Sequence, residues 1–285
     1  MKNVLVLGSS GMAGHVMTFY LEQNPHLNVT NLSHKKKLND STVIMDVCNL
    51  NEFNRYLDEN HFDVIINCIG ILNQNADRNK SAAILMNSYL PHFLECKYRD
   101  SDTRIIHLST DCVFSGASGG YQEDSFRDGD SFYDRTKALG ELINNKDLTF
   151  RMSMIGPDLN PDGIGLFNWF MKSTGEIYGY KNAMWNGITT IELAKAVEAA
   201  IFSGVTGLYH LVPKEKISKY HLLALCKKAF DRKDIKIIQC ENPCIDKSLI
   251  NTRDDFCFKV SGYEKMIQDM KVWVDEHKSL YAYFI

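Results

Sequence analysis

Three absences remove whole classes of function from this chain. No apolar run reaches the roughly 20 residues needed to cross a bilayer, so a membrane-embedded role is not expected. Neither sign of charge dominates. The 32 Lys and Arg against 35 Asp and Glu leave a net charge of −3, with no general basic field to favour nucleic acid. Nucleic-acid motifs, sustained heptads, internal repeats and low-complexity tracts do not occur. Metal-ligand sets are lacking too: of eight cysteines only Cys240 and Cys244 lie close together, and no second pair or nearby histidine completes a zinc site. The cysteines read as free thiols of a reducing compartment. Because the chain begins directly with a structural strand, no leader is expected, and a cytoplasmic protein follows.

What is present alternates short apolar strands with helical stretches, over a length and a 45% hydrophobic content that can bury a substantial core. Residues 1–7 read as a buried parallel strand, apolar almost throughout after Asn3. The turn Gly8-Ser9-Ser10-Gly11-Met12-Ala13-Gly14 follows, and a helix begins near Met12 with Met12, Val16, Phe19 and Tyr20 on its buried side. Glycines at these spacings supply a tight turn, close backbone approach to a pyrophosphate and tight helix–strand packing. The helix N-terminus offers free N–H groups and partial positive charge. A dinucleotide site built on Gly8, Ser10, Gly11, Met12 and Gly14 is therefore expected.

The next strand, 28–32, ends in Ser33-His34-Lys35-Lys36-Lys37, where an NAD site would carry an acid for the ribose hydroxyls. A hydroxyl, an imidazole and ammonium groups attract a 2′-phosphate, so NADP(H) is preferred over NAD(H). Strand 42–45 leads into Asp46-Val47, placed either to meet the adenine edge or, through Asp46, to cap a helix near Leu50. Strand 63–68 ends in Cys68-Ile69-Gly70, with Gly70 letting the chain pass close to the adenosine ribose.

Strand 104–108 delivers Ser109-Thr110-Asp111 to the carboxyl edge of the sheet, where ligands of open α/β sheets bind. Tyr133 and Lys137 stand one helical turn apart on one face. There the ammonium can lower the phenol pKa from its ordinary value of about 10. Thr110 would hold the substrate oxygen, and Tyr133 would exchange a proton with it. The combination points to an enzyme using a nicotinamide cofactor at a C–OH/C=O carbon. His107 and His210 have no partner at ligand spacing and read as satisfied buried histidines.

The pattern predicts a Rossmann-like doubly wound parallel sheet, α/β in class, with a smaller C-terminal substrate-binding lobe. Residues 1–155 form the NAD(P)-binding domain, and 156–285 mostly form the lobe, interleaved with the sheet. Helices are expected at 11–23, 50–59, 82–99, 131–145, 167–173, 190–202, 218–230 and 263–278, and a loop at 115–130 beside the site.

Longer segments carry a resemblance. The Gly-rich turn, His107-Leu108-Ser109-Thr110-Asp111-Cys112-Val113-Phe114-Ser115-Gly116, Tyr121-Gln122-Glu123-Asp124 and Tyr133-Asp134-Arg135-Thr136-Lys137-Ala138-Leu139-Gly140-Glu141 resemble the extended short-chain dehydrogenase/reductases. Within them the chain is most similar to the dTDP-4-dehydrorhamnose reductase group, over residues 1–215. The resemblance implies a Thr110/Tyr133/Lys137 triad and reduction of the 4-keto group of a nucleotide-linked 6-deoxy sugar, dTDP- or UDP-linked and with or without an N-acetyl group, for surface polysaccharide. It implies substrate-side positions at Asn87, Asp111, Val113, Arg151 and Trp185, with Thr189-Thr190 nearby. The chain departs from the pattern in lacking Pro before Tyr133 and in Trp185-Asn186-Gly187-Ile188, which leaves the sugar open. A sugar-nucleotide epimerase, or a non-catalytic subunit like the regulatory subunit of methionine adenosyltransferase, remains as an alternative, and so does assembly as a homodimer. Dehydration is disfavoured because Cys112 stands where a second acid would help.

Overall fold

In chain order the computed structural model, which describes residues 1–284, begins with β1 (Lys2–Leu7), α1 (Met12–Leu21), β2 (Leu27–Ser33), β3 (Thr42–Ile44), α2 (Leu50–Glu59) and β4 (Val64–Asn67). Next come α3 (Asn73–Arg78), α4 (Lys80–Ala83), α5 (Leu90–Lys97), β5 (Arg104–Thr110), α6 (Phe132–Leu139) and β6 (Leu148–Met152). The remainder comprises β7 (Met154–Ile155), α7 (Leu166–Lys172), β8 (Gly175–Tyr180), β9 (Ala183–Trp185), β10 (Ile188–Thr189), α8 (Thr190–Ile201), β11 (Gly207–His210), β12 (Ile217–Ser218), α9 (Lys219–Ala229), β13 (Ile235–Cys240), β14 (Ile245–Asp246) and α10 (Tyr263–Glu276).

Side chains of β1 alternate between two cores. Val4 and Val6 bury on one face with Val16 and Met17 of α1 and Leu193 and Val197 of α8. Leu5 and Leu7 bury on the other with Phe53 and Leu57 of α2 and Leu90 and Leu94 of α5. A strand apolar on both faces is stable only when both are covered, which is why these strands are parallel and helix-connected. Seven of them form one parallel sheet in the order β11-β6-β5-β4-β1-β2-β3. The order reverses at β1 and β4, so a crevice opens beyond their carboxyl ends.

Residues beyond 155 belong partly to this sheet, through β11, and partly to smaller sheets in which β8 pairs with β13, and β9 with β12 and β14. The tail folds back to the start of the chain. Trp273 Nε1–H donates to the buried Tyr281 hydroxyl at 2.9 Å, and that hydroxyl lies 3.1 Å from His15 Nε2. Nδ1 of His15 donates to the Gly11 carbonyl at 2.8 Å, and burial pushes this imidazole down to about 4, so it is neutral and accepts from Tyr281.

Some elements differ from the sequence expectation. The helix expected to run to 145 ends at Leu139 with Gly140 as its C-cap, where the chain passes so close to the segment before α5 that a Cβ would sit 1.9 Å from the Asn87 carbonyl. The helix expected over 82–99 is broken by a π-helical turn, Ile84–Tyr89. Pro91 has no N–H to return to the Asn87 carbonyl, and the chain takes a wider turn there. The cap of α2 is Asn49, whose side chain accepts from Glu52 N–H, and not Asp46. No helix among the described residues is long and apolar enough to cross a membrane, and among them no cluster of His, Cys, Asp and Glu could hold a metal ion.

Candidate active site

The Gly-rich turn closes on itself through Gly11 N–H donating to the Gly8 carbonyl at 3.0 Å, while Gly8 N–H reaches the Leu32 carbonyl. Gly8 has φ +80°, in the left-handed region glycine favours, and a Cβ at Gly14 would lie 2.1 Å from the Gly8 carbonyl. Gly11, the N-cap of α1, has no side chain to occupy the first helical N–H groups, and the first turn holds no acid. A diphosphate fits this cradle: bare backbone, free donors and a positive helix end. Gly11 and Gly70 are exposed, Ser10, Met12, Cys68 and Ile69 are half-buried, and Gly14 and Val47 are buried.

At the β2 end, His34 and Lys35 are exposed. The His34 imidazole lies 3.5 Å from Asp46, whose carboxyl is held below its usual range chiefly by the Cys48 N–H. Ser33 is not outward-facing: it is buried, and its hydroxyl donates to the Lys36 carbonyl, shaping the basic loop from within.

Beyond β5, Thr110 accepts from Cys112 N–H at 3.1 Å and donates to Asp111 at 3.2 Å. The phenol of Tyr133, on α6, comes against the Thr110 hydroxyl. Ser131 caps this helix in a reciprocal capping box with Asp134, which fixes where the Tyr133 turn begins. Burial raises the phenol pKa above its ordinary value, with Cys112 adding to the rise and the Thr110 contact opposing it. The sequence expectation of an ammonium-depressed phenol is therefore corrected. The Lys137 ammonium position donates to the Leu108 carbonyl at 2.7 Å and lies 3.2 Å from His107 Nε2. Burial pushes Lys137 down to about 8. Asp111 is buried and its carboxyl raised.

Three of the substrate-side expectations change. Arg151 is fully buried, with Nε and Nη2 on Glu141 at 2.7 and 2.6 Å and Nη1 on His210 Nε2 at 2.8 Å. Its guanidinium is committed beneath the site rather than offered to a ligand. Asn87 is buried as well. Its Oδ1 accepts from Ile71 N–H, and its Nδ2 donates to the Ile71 carbonyl and the Thr136 hydroxyl, so it clasps the loop after β4 to α6. Val113 is core, packed with Phe114, Tyr121 and Leu249. Thr189 caps α8 and both it and Thr190 are buried. Trp185 is buried, its ring 4.5 Å beneath the Lys219 ammonium.

Lys219 escaped the sequence reading. It opens α9, where a cation faces the positive helix end, and that misplacement was the available signal. Burial pushes it down to about 8, opposed by the Asp111 carboxyl, which also feels Lys247. Lys219 further lines a groove of about 780 Å³ between α7, β8 and α9, with Trp169, Tyr178 and Tyr180 on its walls. Lys219 is thus shared between the electrostatics of Asp111, next to Thr110, and the lining of this groove.

The family model described as the RmlD substrate binding domain matches residues 1–247. A probable low-salt glycan biosynthesis reductase, Agl14, of Haloferax volcanii is 24% identical over 232 residues, 75% of each chain. A dTDP-4-keto-6-deoxy-D-glucose reductase of Streptomyces niveus is 26% identical over 216 residues, 72% of this chain and 71% of that one. In structure, a dTDP-4-dehydrorhamnose reductase of Bacillus anthracis in complex with NADP superposes with a TM-score of 0.81 at 16% identity, covering 95% of this chain and 99% of that one. Since the family model spans most of the 285 residues, including the Gly-rich turn and the Thr110–Tyr133–Lys137 constellation, the chain belongs to the RmlD substrate binding domain family.

Proposed function

We propose that this chain is an NADPH-dependent reductase of the 4-keto group of a nucleotide-diphospho-6-deoxy sugar, serving surface-polysaccharide synthesis. Oxidoreductase chemistry accords with its family. The observation that supports the reading is geometric: the Tyr133 phenol stands against Thr110 at the carboxyl edge of the parallel sheet. A protonated phenol suits proton donation to a carbonyl oxygen as it gains negative charge.

The Gly8–Gly14 cradle would hold the diphosphate of the cofactor, His34 and Lys35 its 2′-phosphate, and the Cys68–Gly70 turn its adenosine side. The bound nicotinamide supplies a hydride to the carbonyl carbon. Thr110 orients the sugar oxygen through its hydroxyl, Tyr133 transfers its phenolic proton to that oxygen, and Lys137 lies within the same buried pocket. The groove beside Lys219 would take the nucleotide, its ammonium near the sugar-nucleotide diphosphate and its aromatic walls against the base. Residues 1–155 would supply the cofactor half and most of 156–285 the substrate half.

The test is NADPH oxidation at 340 nm with a panel of dTDP- and UDP-linked 4-keto-6-deoxy sugars, with NADH alongside and Tyr133→Phe as control. Rapid consumption with one sugar, lost in Tyr133→Phe by about 10²–10⁴-fold, is expected. Cofactor binding without consumption of any sugar would refute the reductase reading and leave an epimerase or a regulatory subunit.

A further inference from the structure

A threonine hydroxyl has one proton to give and two lone pairs to receive with, and at Thr110 all three are committed. Its proton goes to Asp111 Oδ1 at 3.2 Å. Cys112 N–H, which can only donate, takes one lone pair at 3.1 Å. The Tyr133 phenol comes against the same oxygen, and with the Thr110 proton already given, the phenol is the donor. A ketone oxygen only accepts. In the empty site it therefore finds neither hydroxyl proton free, although Thr110 and Tyr133 are the two groups placed to hold it.

What commits the Thr110 proton is the Asp111 carboxylate. It is buried, and burial favours its neutral acid. Two ammonium groups from the C-terminal half of the chain oppose burial: Lys219 at the start of α9 and Lys247 just after β14. Among the described residues no direct ion pair to Asp111 forms, so both act on it from a distance. Lys219 also lines the groove of about 780 Å³, its ammonium 4.5 Å over the Trp185 ring. One cation thus serves both Asp111 and any anion that enters the groove. The other groups facing Asp111 are uncharged: the Cys112 thiol, pushed up to about 12 by burial, and the Tyr133 phenol.

We propose that Asp111 is a positioning residue that releases the Thr110 proton when a sugar-nucleotide diphosphate enters the groove and draws Lys219 away. The inference rests on the reading that this groove takes the nucleotide.

The diphosphate attracts the ammonium that keeps Asp111 ionised, and its own charge repels the carboxylate. Asp111 then takes one proton from solvent. As a neutral acid it donates to Thr110 Oγ1 and no longer accepts from it, so Cys112 N–H and Asp111 fill the two lone pairs. The Thr110 and Tyr133 protons both turn to the ketone oxygen. Solvent supplies the one proton that moves, and no covalent bond of the substrate changes. The site is armed only when it is occupied.

Binding of UDP-glucose and dTDP-glucose to the whole chain tests this without turnover. Both carry the diphosphate, and neither has a phosphate that titrates near neutrality. Calorimetry near pH 6, in buffers of different ionisation enthalpy, counts the protons taken up. Lys219, pushed down to about 8, is already charged there and adds little. Uptake of roughly half a proton per site is expected in the native protein and should vanish in Asp111→Asn. Affinity should fall about threefold or more as pH rises from about 5 to about 6.5 in the native protein, and stay level in the variant. Should Asp111→Asn not fold, the infrared difference spectrum of the native protein with UDP-glucose should gain a protonated-carboxyl band, and its absence overturns the proposal. Binding without proton uptake, or with uptake unchanged in Asp111→Asn, overturns the proposal and leaves the reductase reading standing. If neither sugar nucleotide binds, the nucleotide reading of the groove falls and the proposal with it.

Discussion

Replacing Arg151 with Met should destabilise the protein without weakening substrate binding. Met keeps most of the apolar stem and removes the guanidinium that holds Glu141 through two hydrogen bonds in a site where both side chains are buried. Breaking one side of such a pair costs about 3–5 kcal/mol, because a desolvated charge is left behind. Glu141 would still have the Ser109 hydroxyl at 2.7 Å and Arg127 at 3.0 Å, the latter partly exposed, which places the expectation at the low end. About 3 kcal/mol, at roughly 2 °C per kcal/mol for a chain of this size, lowers Tm by about 6 °C. Acid should narrow the gap. In the native protein the Glu141 carboxyl is depressed, so its pairing stabilises above the unfolded value of about 4.3 and is lost as pH falls through the lower folded value. In the variant the carboxyl keeps only Ser109 and Arg127 and is depressed less, so less stability is lost on acidification and the gap narrows below about pH 4.3. Thermal melts at neutral pH and below about pH 4, with KM for the sugar nucleotide measured alongside, decide the matter. A gap that widens toward acid, or an unchanged Tm with a KM raised tenfold, would refute the reasoning and return Arg151 to the substrate.

Gly14→Ala should weaken cofactor binding more than tenfold by fluorescence titration, since its Cβ meets the Gly8 carbonyl, whereas Gly204→Ala, with nothing within 4 Å, should leave it unchanged. Lys35→Glu should raise KM for NADPH at least tenfold while leaving that for NADH within about threefold; an equal effect on both would remove the 2′-phosphate role. Lys219→Met should raise KM for the nucleotide sugar at least tenfold and leave cofactor affinity unchanged, and a binding assay in which both move together would place Lys219 elsewhere.

The sheet was legible because its strands are buried on both faces, and continuous apolar runs such as Val4–Leu7 and Val64–Ile66 point to a strand covered on both sides. The constellation was legible because its parts sit at strand ends and helix starts, which composition marks. The strands β8, β9 and β10 were not, being short and satisfied by partners distant in the chain: β8 by β13, and β9 by β12 and β14. Side-chain direction was also hidden. That Arg151 and Asn87 turn inward depends on Glu141 and Ile71, which sequence spacing does not connect to them. Lys137 illustrates the same limit, since it lies on α6 and its neighbour His107 on β5.

The clasp of Tyr281 on His15 ties the two ends of the chain together in time as well as in space. Synthesis makes the phosphate-cradling turn first. Yet His15, which holds the Gly11 carbonyl and so the opening of α1, gains its hydroxyl partner only when residue 281 has left the ribosome. The opening of α1 thereby draws its last hydrogen-bonded support from the far end of the sequence, and removal of Tyr281 would leave the His15 imidazole without that hydroxyl.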